Sequence, residues 1–170
     1  MNAAASRGAA DGAGLSRQVL TFCLGGETYG VDILRVQELR GWAPVTRIPR
    51  SPAHVLGVLN LRGSIVPIVD MRLRFALERA EFTPLTVIIV MSVETPEGQR
   101  EFGLVVDSVS EVVDIAPGDL KAAPDLGSKL GADALLGLAT VQDRMVILLN
   151  VDRLLAGDDG LETVAATAAA

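Results

Sequence analysis

Gly57–Arg72 reads GVLNLRGSIVPIVDMR, and the fold of the chain turns on how this stretch is read. Two apolar runs, Val55 to Leu61 and Ile65 to Val69, are rich in β-branched residues and flank Arg62-Gly63-Ser64. That pattern predicts antiparallel strands joined by a tight turn, with a bulge. Gly63 supplies the positive φ the turn requires. Arg62 then stands at the tip of an apolar hairpin, where a long cation with five fixed donors reaches a partner but adds little to a core. Pro67 has no N–H to give a ladder, which places its strand at an edge or a bulge. An edge strand is also where another chain docks. The plain alternative is that Asn60-Leu61-Arg62-Gly63 is a solvated hairpin turn.

Composition bounds the rest. A chain of 170 residues is one domain or two small ones, long enough to bury a core without staples. The single cysteine, Cys23, excludes an internal disulfide framework. The N-terminus has no apolar stretch followed by a cleavage site, and the longest purely apolar run, Val87 to Met91, is far too short to span a bilayer. A soluble, cytoplasmic protein is expected. The net charge of -6 argues against nucleic acid as the main partner, since phosphate binding needs a basic footprint. The charge is uneven: Gly30 to Ala80 carries 8 Arg against 4 acidic residues, whereas Glu81 to Gly160 carries 5 Lys or Arg against 14 acidic residues. Two regions of opposite sign are either two contact surfaces or two ordinary solvated faces.

Outward from the hairpin, residues 1–17 are Ala, Gly and Ser with hardly a large apolar side chain, and are expected to be a flexible tail. Structure is expected from Gln18. Val19 to Leu24 and Thr28 to Val31 flank Gly25-Gly26-Glu27, a second hairpin signature. Val31 to Leu39 fits neither period cleanly and reads as an irregular strand leading to Trp42. Ser51 and Pro52 predict a one-turn helix, with Ser51 as cap and Pro52 at the first helical position. Arg72 to Glu81 reads as a charged connector. Thr86 to Val93 opens another β series, turning at Pro96-Glu97-Gly98. Arg153 to Ala156 suits a terminal helical turn. Residues 157–170 begin with Gly157-Asp158-Asp159-Gly160, which breaks it, and are expected to be a flexible C-terminal tail.

The second series repeats the first. Tyr29 through Pro44 lies on Phe102 through Pro117 at a constant offset, which matches Gly30 with Gly103, Val36 with Val109, Glu38 with Glu111 and Pro44 with Pro117. A later offset lays Gly57 to Phe75 on Gly137 to Leu155, so that Ile65 to Val69 falls on Met145 to Leu149 and Asp70 on Asn150. Two matches in the same order indicate an internal duplication. Each copy has about five short strands and one helical turn, and closing so small a sheet into a barrel removes its bare edges. The expected cut places a first barrel at roughly 18–82 and a second at roughly 83–156.

No catalytic set emerges. His54 is the only histidine, so no two-histidine metal site can be built, and a lone His just inside a short helix is ordinarily structural or solvent-exposed. Cys23 has apolar neighbours in sequence and no adjacent cation, which reads as a small core residue rather than an activated thiol. Gly127-Ser128-Lys129 lacks the glycine spacing and the leading strand of a phosphate loop. Asp107-Ser108 is followed by Val109, not by the Gly a two-carboxylate protease loop needs, and Leu34 occupies the matching place in the first copy. No cofactor is indicated.

Together the motifs resemble the CheW family, the coupling proteins of bacterial chemotaxis. The resemblance rests on Tyr29-Gly30-Val31-Asp32-Ile33, Val36-Gln37-Glu38, Val45-Thr46-Arg47-Ile48-Pro49, Gly57 to Gly63, Ile65 to Asp70 and Gly103 to Asp107, and covers Gln18 to about Ala156. It implies a mainly β fold of two SH3-like five-stranded β barrels sharing a hydrophobic seam, and a noncatalytic adaptor. Such adaptors couple the cytoplasmic tips of methyl-accepting chemoreceptors to the regulatory domain of the histidine kinase CheA, and are recruited to membrane-associated receptor arrays without inserting into the bilayer. Carried over, the receptor-binding residues are Val36, Glu38, Gly57, Asn60 and Arg62, and Gly103 lies in the region used toward the kinase. The hairpin around Thr95 to Gln99 is longer and more acidic than the family pattern. Of the competing classes, an RNA-binding barrel is disfavoured by acidic charge and few aromatic residues, and a small hydrolase by the missing catalytic set.

Overall fold

The computed structural model describes residues 17–78, 81–122 and 134–156. The expected flexible tails and Gly127-Ser128-Lys129 lie outside them, although the first strand already begins at Arg17. In the central hairpin, β4 (Val55–Leu61) and β5 (Ser64–Asp70) pair antiparallel with Leu61 opposite Ser64. The turn is therefore two residues long, with φ of 53° at Arg62 and 89° at Gly63. Two successive left-handed residues match the right-handed twist of the flanking strands, so no bulge is needed at the tip. The bulge sits instead at the other end of β4, between Val55 and Gly57.

The remaining strands are β1 (Arg17–Leu24), β2 (Glu27–Asp32), β3 (Val36–Gly41), β6 (Val87–Thr95), β7 (Gly98–Val106), β8 (Ser108–Ile115), β9 (Leu120–Lys121), β10 (Leu135–Val141) and β11 (Arg144–Leu149). Short helices follow the two equivalent hairpins: α1 (Met71–Arg74) after β5 and α2 (Val151–Ala156) after β11. Each begins at the polar residue the duplication aligns. The Asp70 side chain accepts from the Arg72 N–H at 3.0 Å, and the Asn150 side chain from the Arg153 N–H at 3.2 Å.

The strands form two sheets, ordered β8-β1-β2-β11-β10-β9 and β3-β6-β7-β5-β4. The cut at residues 82 and 83 does not coincide with the division into sheets, because each half of the chain lends its first hairpin to the other half's sheet. The joins are the only parallel pairings among the described residues, β2 with β11 and β5 with β7. At both sits a glycine the duplication predicted: Gly30 opposite Leu148 and Gly103 opposite Ile68. A Cβ on Gly30 would lie 2.3 Å from Val19 Cγ1, and one on Gly103 2.6 Å from Ile68 Cδ1. Both joins thus require the absence of a side chain.

The sheets curl but do not close as the barrels expected from sequence. Instead, the chain leaving each first strand returns to cover each last one. After β3, Thr46 bridges Val58 of β4; after β8, β9 pairs with β10. Both returns press on a bulge glycine. A Cβ on Gly57 would lie 2.2 Å from the Thr46 carbonyl oxygen, and one on Gly137 2.5 Å from that of Lys121.

Alternating residues of the inner strands serve two cores. Ile88, Val90, Val66 and Ile68 fill the hollow of one curled sheet, while Val19, Ala139, Val146 and Leu148 fill the other. Their sequence neighbours Ile89, Met91, Val69, Leu20 and Leu149 face a larger shared cluster between the sheets, with Phe22, Phe102 and Leu154. This explains the uninterrupted apolar run at Val87 to Met91: the strand is buried on both faces. Two half-buried ion pairs lace the halves together at the rim. Arg72 Nε and Nη2 each donate to Asp107 at 2.8 Å, and Arg35 Nη1 donates to Asp152 at 2.8 Å. Although burial pushes the Asp107 carboxyl up, the Arg72 guanidinium and the Gly25 N–H outweigh it and hold the group below its ordinary value.

Four local expectations are corrected. The helix at Ser51-Pro52 does not form: a turn at Ala53 and His54 leads straight into β4, and the Ser51 hydroxyl donates to the Ile48 carbonyl at 2.8 Å instead of capping. Val31 to Leu39 is not one irregular strand, because Asp32 caps a 3-10 turn over Ile33–Arg35 by accepting from the Leu34 N–H. Cys23 is not a core residue; it is half-buried, with its sulfur 3.8 Å from the Ser110 hydroxyl. Pro67 lies on an interior strand, opposite Val58 of β4, but the ladder to β7 begins only at Ile68, so its missing N–H falls where that flank is unpaired.

Two stability outcomes follow. Gly57→Ala drives a methyl into the Thr46 carbonyl and is expected to lower the unfolding free energy by about 1–3 kcal/mol in urea titration. Gly41→Ala, in open space at the end of β3, should stay within about 0.5 kcal/mol of the parent. Residues 18–82 expressed alone should show no cooperative thermal transition, since β1 and β2 lose their partners β8 and β11.

Candidate functional site

The hairpin tip and the edge of β3 meet although their strands lie at opposite ends of one sheet, because the sheet curls. Glu38, on β3 opposite Val90, lies 2.7 Å from Arg62 Nη2 through Oε1, while its Oε2 accepts from Arg40 Nη1 at 3.1 Å. One carboxylate thus organises two guanidinium groups across the open seam. Arg62 remains 67% exposed along its side chain and Glu38 22%, so the arginine is positioned without being consumed by the fold. Asn60 fixes the turn, its side-chain oxygen accepting from the Gly63 N–H at 2.9 Å.

The expected site residues separate into two kinds. Glu38, Asn60 and Arg62 come together at the tip with surface to offer. Val36 is half-buried at the start of β3, opposite Met91, and packs against the shared core. Gly57 and Gly103 are buried, and both are places where a side chain would strike a neighbour. Their contribution to any surface is to let strands approach. Arg40 was missed by sequence reasoning; its spacing of two from Glu38 on one strand, hence on one face, is the signal that would have found it.

Beside the tip, a cleft of about 560 Å³ opens where β5 and β7 diverge, lined by Ser64, Ile65, Pro67, Gln99, Arg100 and Glu101 among others. Its walls mix the polar and charged side chains of Gln99, Arg100 and Glu101 with the apolar Ile65 and Pro67. Among the described residues no group of three His, Cys, Asp or Glu side chains could hold a metal ion, and no helix is long and apolar enough to cross a membrane. What the tip offers chemically is a fixed cation, its orienting carboxylate and an exposed turn.

Hydrogen bonds from Arg62, then from Arg40, hold the Glu38 carboxyl below its ordinary value. The lowered folded-state value means that the pair's contribution to stability is present above the unfolded carboxyl pKa and is lost as pH falls through the folded one. Carboxyl carbon NMR titration should find Glu38 below an ordinary glutamate, and Arg62→Ala should move its midpoint up part of the way, since Arg40 remains.

The sequence and the fold are similar to those of known proteins. The family model for the CheW-like domain matches residues 18–159. A chemotaxis protein CheW of Klebsiella aerogenes is 41% identical over 145 residues, 85% of each chain. One from Rhizobium meliloti is 38% identical over 136 residues, 80% of this chain and 85% of its own. Among solved structures, the scaffolding protein TtCheW of Thermoanaerobacter tengcongensis aligns with a TM-score of 0.76 at 28% identity, over 86% of this chain and 96% of that one. With duplicated sheets, exchanged hairpins and these matches along nearly its whole described length, the chain belongs to the family of CheW-like domain proteins.

Proposed function

We propose that this protein is a noncatalytic adaptor of chemotaxis signalling that couples the cytoplasmic tips of methyl-accepting chemoreceptors to the regulatory domain of the histidine kinase CheA. The observation that carries the reading is the Glu38–Arg62 pair at the tip of the central hairpin, in a chain that is 41% identical to a chemotaxis protein CheW. The receptor-facing surface takes in Arg62, Glu38 and Asn60, with Val36 packed against the shared core and Gly57 letting the Thr46 segment close on β4. A surface nearer β7, around Gly103, is directed to the kinase; since Gly103 itself is buried, its neighbours make that contact. Binding to receptors brings the protein to the membrane-associated array.

An arginine held by a carboxylate at an interface centre loses little mobility on binding and is a common energetic anchor. Alanine at position 62 bears the same left-handed backbone strain as arginine, so the exchange isolates the guanidinium. Arg62→Ala should leave the melting temperature nearly unchanged, because an exposed ion pair adds little to folding. It should weaken co-sedimentation with receptor-containing membranes roughly tenfold or more and reduce CheA binding much less. Early unfolding, or equal loss of both partners, would make Arg62 a structural residue and remove the binding role from the hairpin.

A further inference from the structure

The two ion pairs at the rim occupy equivalent places in the duplicated fold, with their charges exchanged. Arg72 stands one residue into α1 and pairs with Asp107, at the bend between β7 and β8. Its counterpart in the second copy is Asp152, one residue into α2, which pairs with Arg35 at the turn between β2 and β3. The offset that lays Gly57 on Gly137 lays Arg72 on Asp152, and the offset that lays Gly30 on Gly103 places Asp107 within one residue of Arg35. Both arginines belong to the first half of the chain and both aspartates to the second.

The backbone partners are exchanged in step. Arg35 Nη1 donates to the Ser92 carbonyl of β6 at 3.0 Å, and Asp107 accepts from the Gly25 N–H in the turn between β1 and β2 at 2.9 Å. Each rim residue thus grips the hairpin contributed by the other half, through a carbonyl where the residue is a cation and an amide where it is an anion. The side chains are 25–30% exposed, so water screens them less than a surface pair, and an unmatched charge there is costly.

An internally duplicated chain faces a hazard that other chains do not. Each half offers a hairpin and accepts one, so the first halves of two molecules have the topology to exchange hairpins with each other, as do the second halves. In such a pairing of like halves, Arg35 of one molecule would face Arg72 of the other, and Asp107 would face Asp152.

We propose that these four residues form a charge code that makes the halves complementary to each other and not to themselves, directing the hairpin exchange within one chain and excluding a second copy of the chain as partner. The wider charge distribution has the same sense, with an excess of arginine in the first half and of acid in the second. Like charges set against each other are an established means of excluding wrong partners.

Two variants of unchanged net charge test the code in the full-length protein. Exchanging all four residues, Arg35→Asp and Arg72→Asp with Asp107→Arg and Asp152→Arg, keeps unlike charges within the chain and like charges between like halves, and should keep the parent's oligomeric state and melt above the second, between-latch variant. Arg35→Asp with Asp107→Arg opposes like charges in both latches of the single chain and matches unlike charges between like halves. It should melt lower, by about 5–10 °C, and show a concentration-dependent dimer in light scattering beyond any in the parent. Equal melting temperatures and equal association states for the two variants would overturn the proposal. So would a between-latch variant that is destabilised yet no more dimeric than the parent, since the latches would then stabilise without selecting. If that variant fails to fold, Arg35→Gln with Asp107→Asn decides: more dimer than the parent supports the code, and an unchanged association state overturns it.

Discussion

Two parallel strand joins, β2 beside β11 and β5 beside β7, are the constraint on which everything else rests. A hairpin alone is marginal in water, and a sheet of three short strands has edges it cannot hide. Here each half of the chain completes its neighbour's sheet instead of its own. The joins are long-range in sequence and leave no room at Gly30 or Gly103 for a side chain. Because each joined strand is buried on both faces, the two sheet interiors and the cluster between them become one packed body, in which Phe22, Tyr29 and Phe75 run as a chain of ring contacts at centroid distances of 5.9 and 5.3 Å.

From that constraint the exposed features follow. Curling brings the ends of one sheet near enough for Glu38 to reach Arg62, and the partial pairing of β5 with β7 leaves the cleft beside the tip. The hairpin's apolar stem is gripped by the core while its two-residue turn stands clear. The tip so built has a rigid base and a charged, solvent-facing end, which suits the proposed role of an adaptor whose surfaces stay fixed relative to one another.

Much of this was legible in the sequence, for identifiable reasons. The central hairpin announced itself through β-branched runs around a glycine turn, and the duplication through glycines that recur because the same close approach occurs twice. The exchange of hairpins was not legible: a hairpin signature is local, and nothing within β1 and β2 says that β8 and β11 will flank them. The helix expected at Ser51-Pro52 was lost to tertiary context, as the chain there is occupied in returning past Thr46 to β4, and Arg50 takes a left-handed φ of 65°. Cys23 was misjudged because apolar neighbours in sequence say little about which face of a strand a residue takes. The Glu38–Arg62 pair joins residues from distant strands, and only the family resemblance put both in one site; Arg40 was missed, although strand alternation from Glu38 points to it.

The central claim is that the chain is one cooperative body and not two adjoining barrels, and native-state hydrogen exchange across a denaturant series addresses it most directly. If hairpin exchange binds the sheets together, the slowest amides of β2 and β11 in one sheet and of β5 and β7 in the other will share one opening free energy and one denaturant dependence. If the amides of one sheet open at a distinctly lower free energy while those of the other stay protected, the halves are independent and the account is wrong.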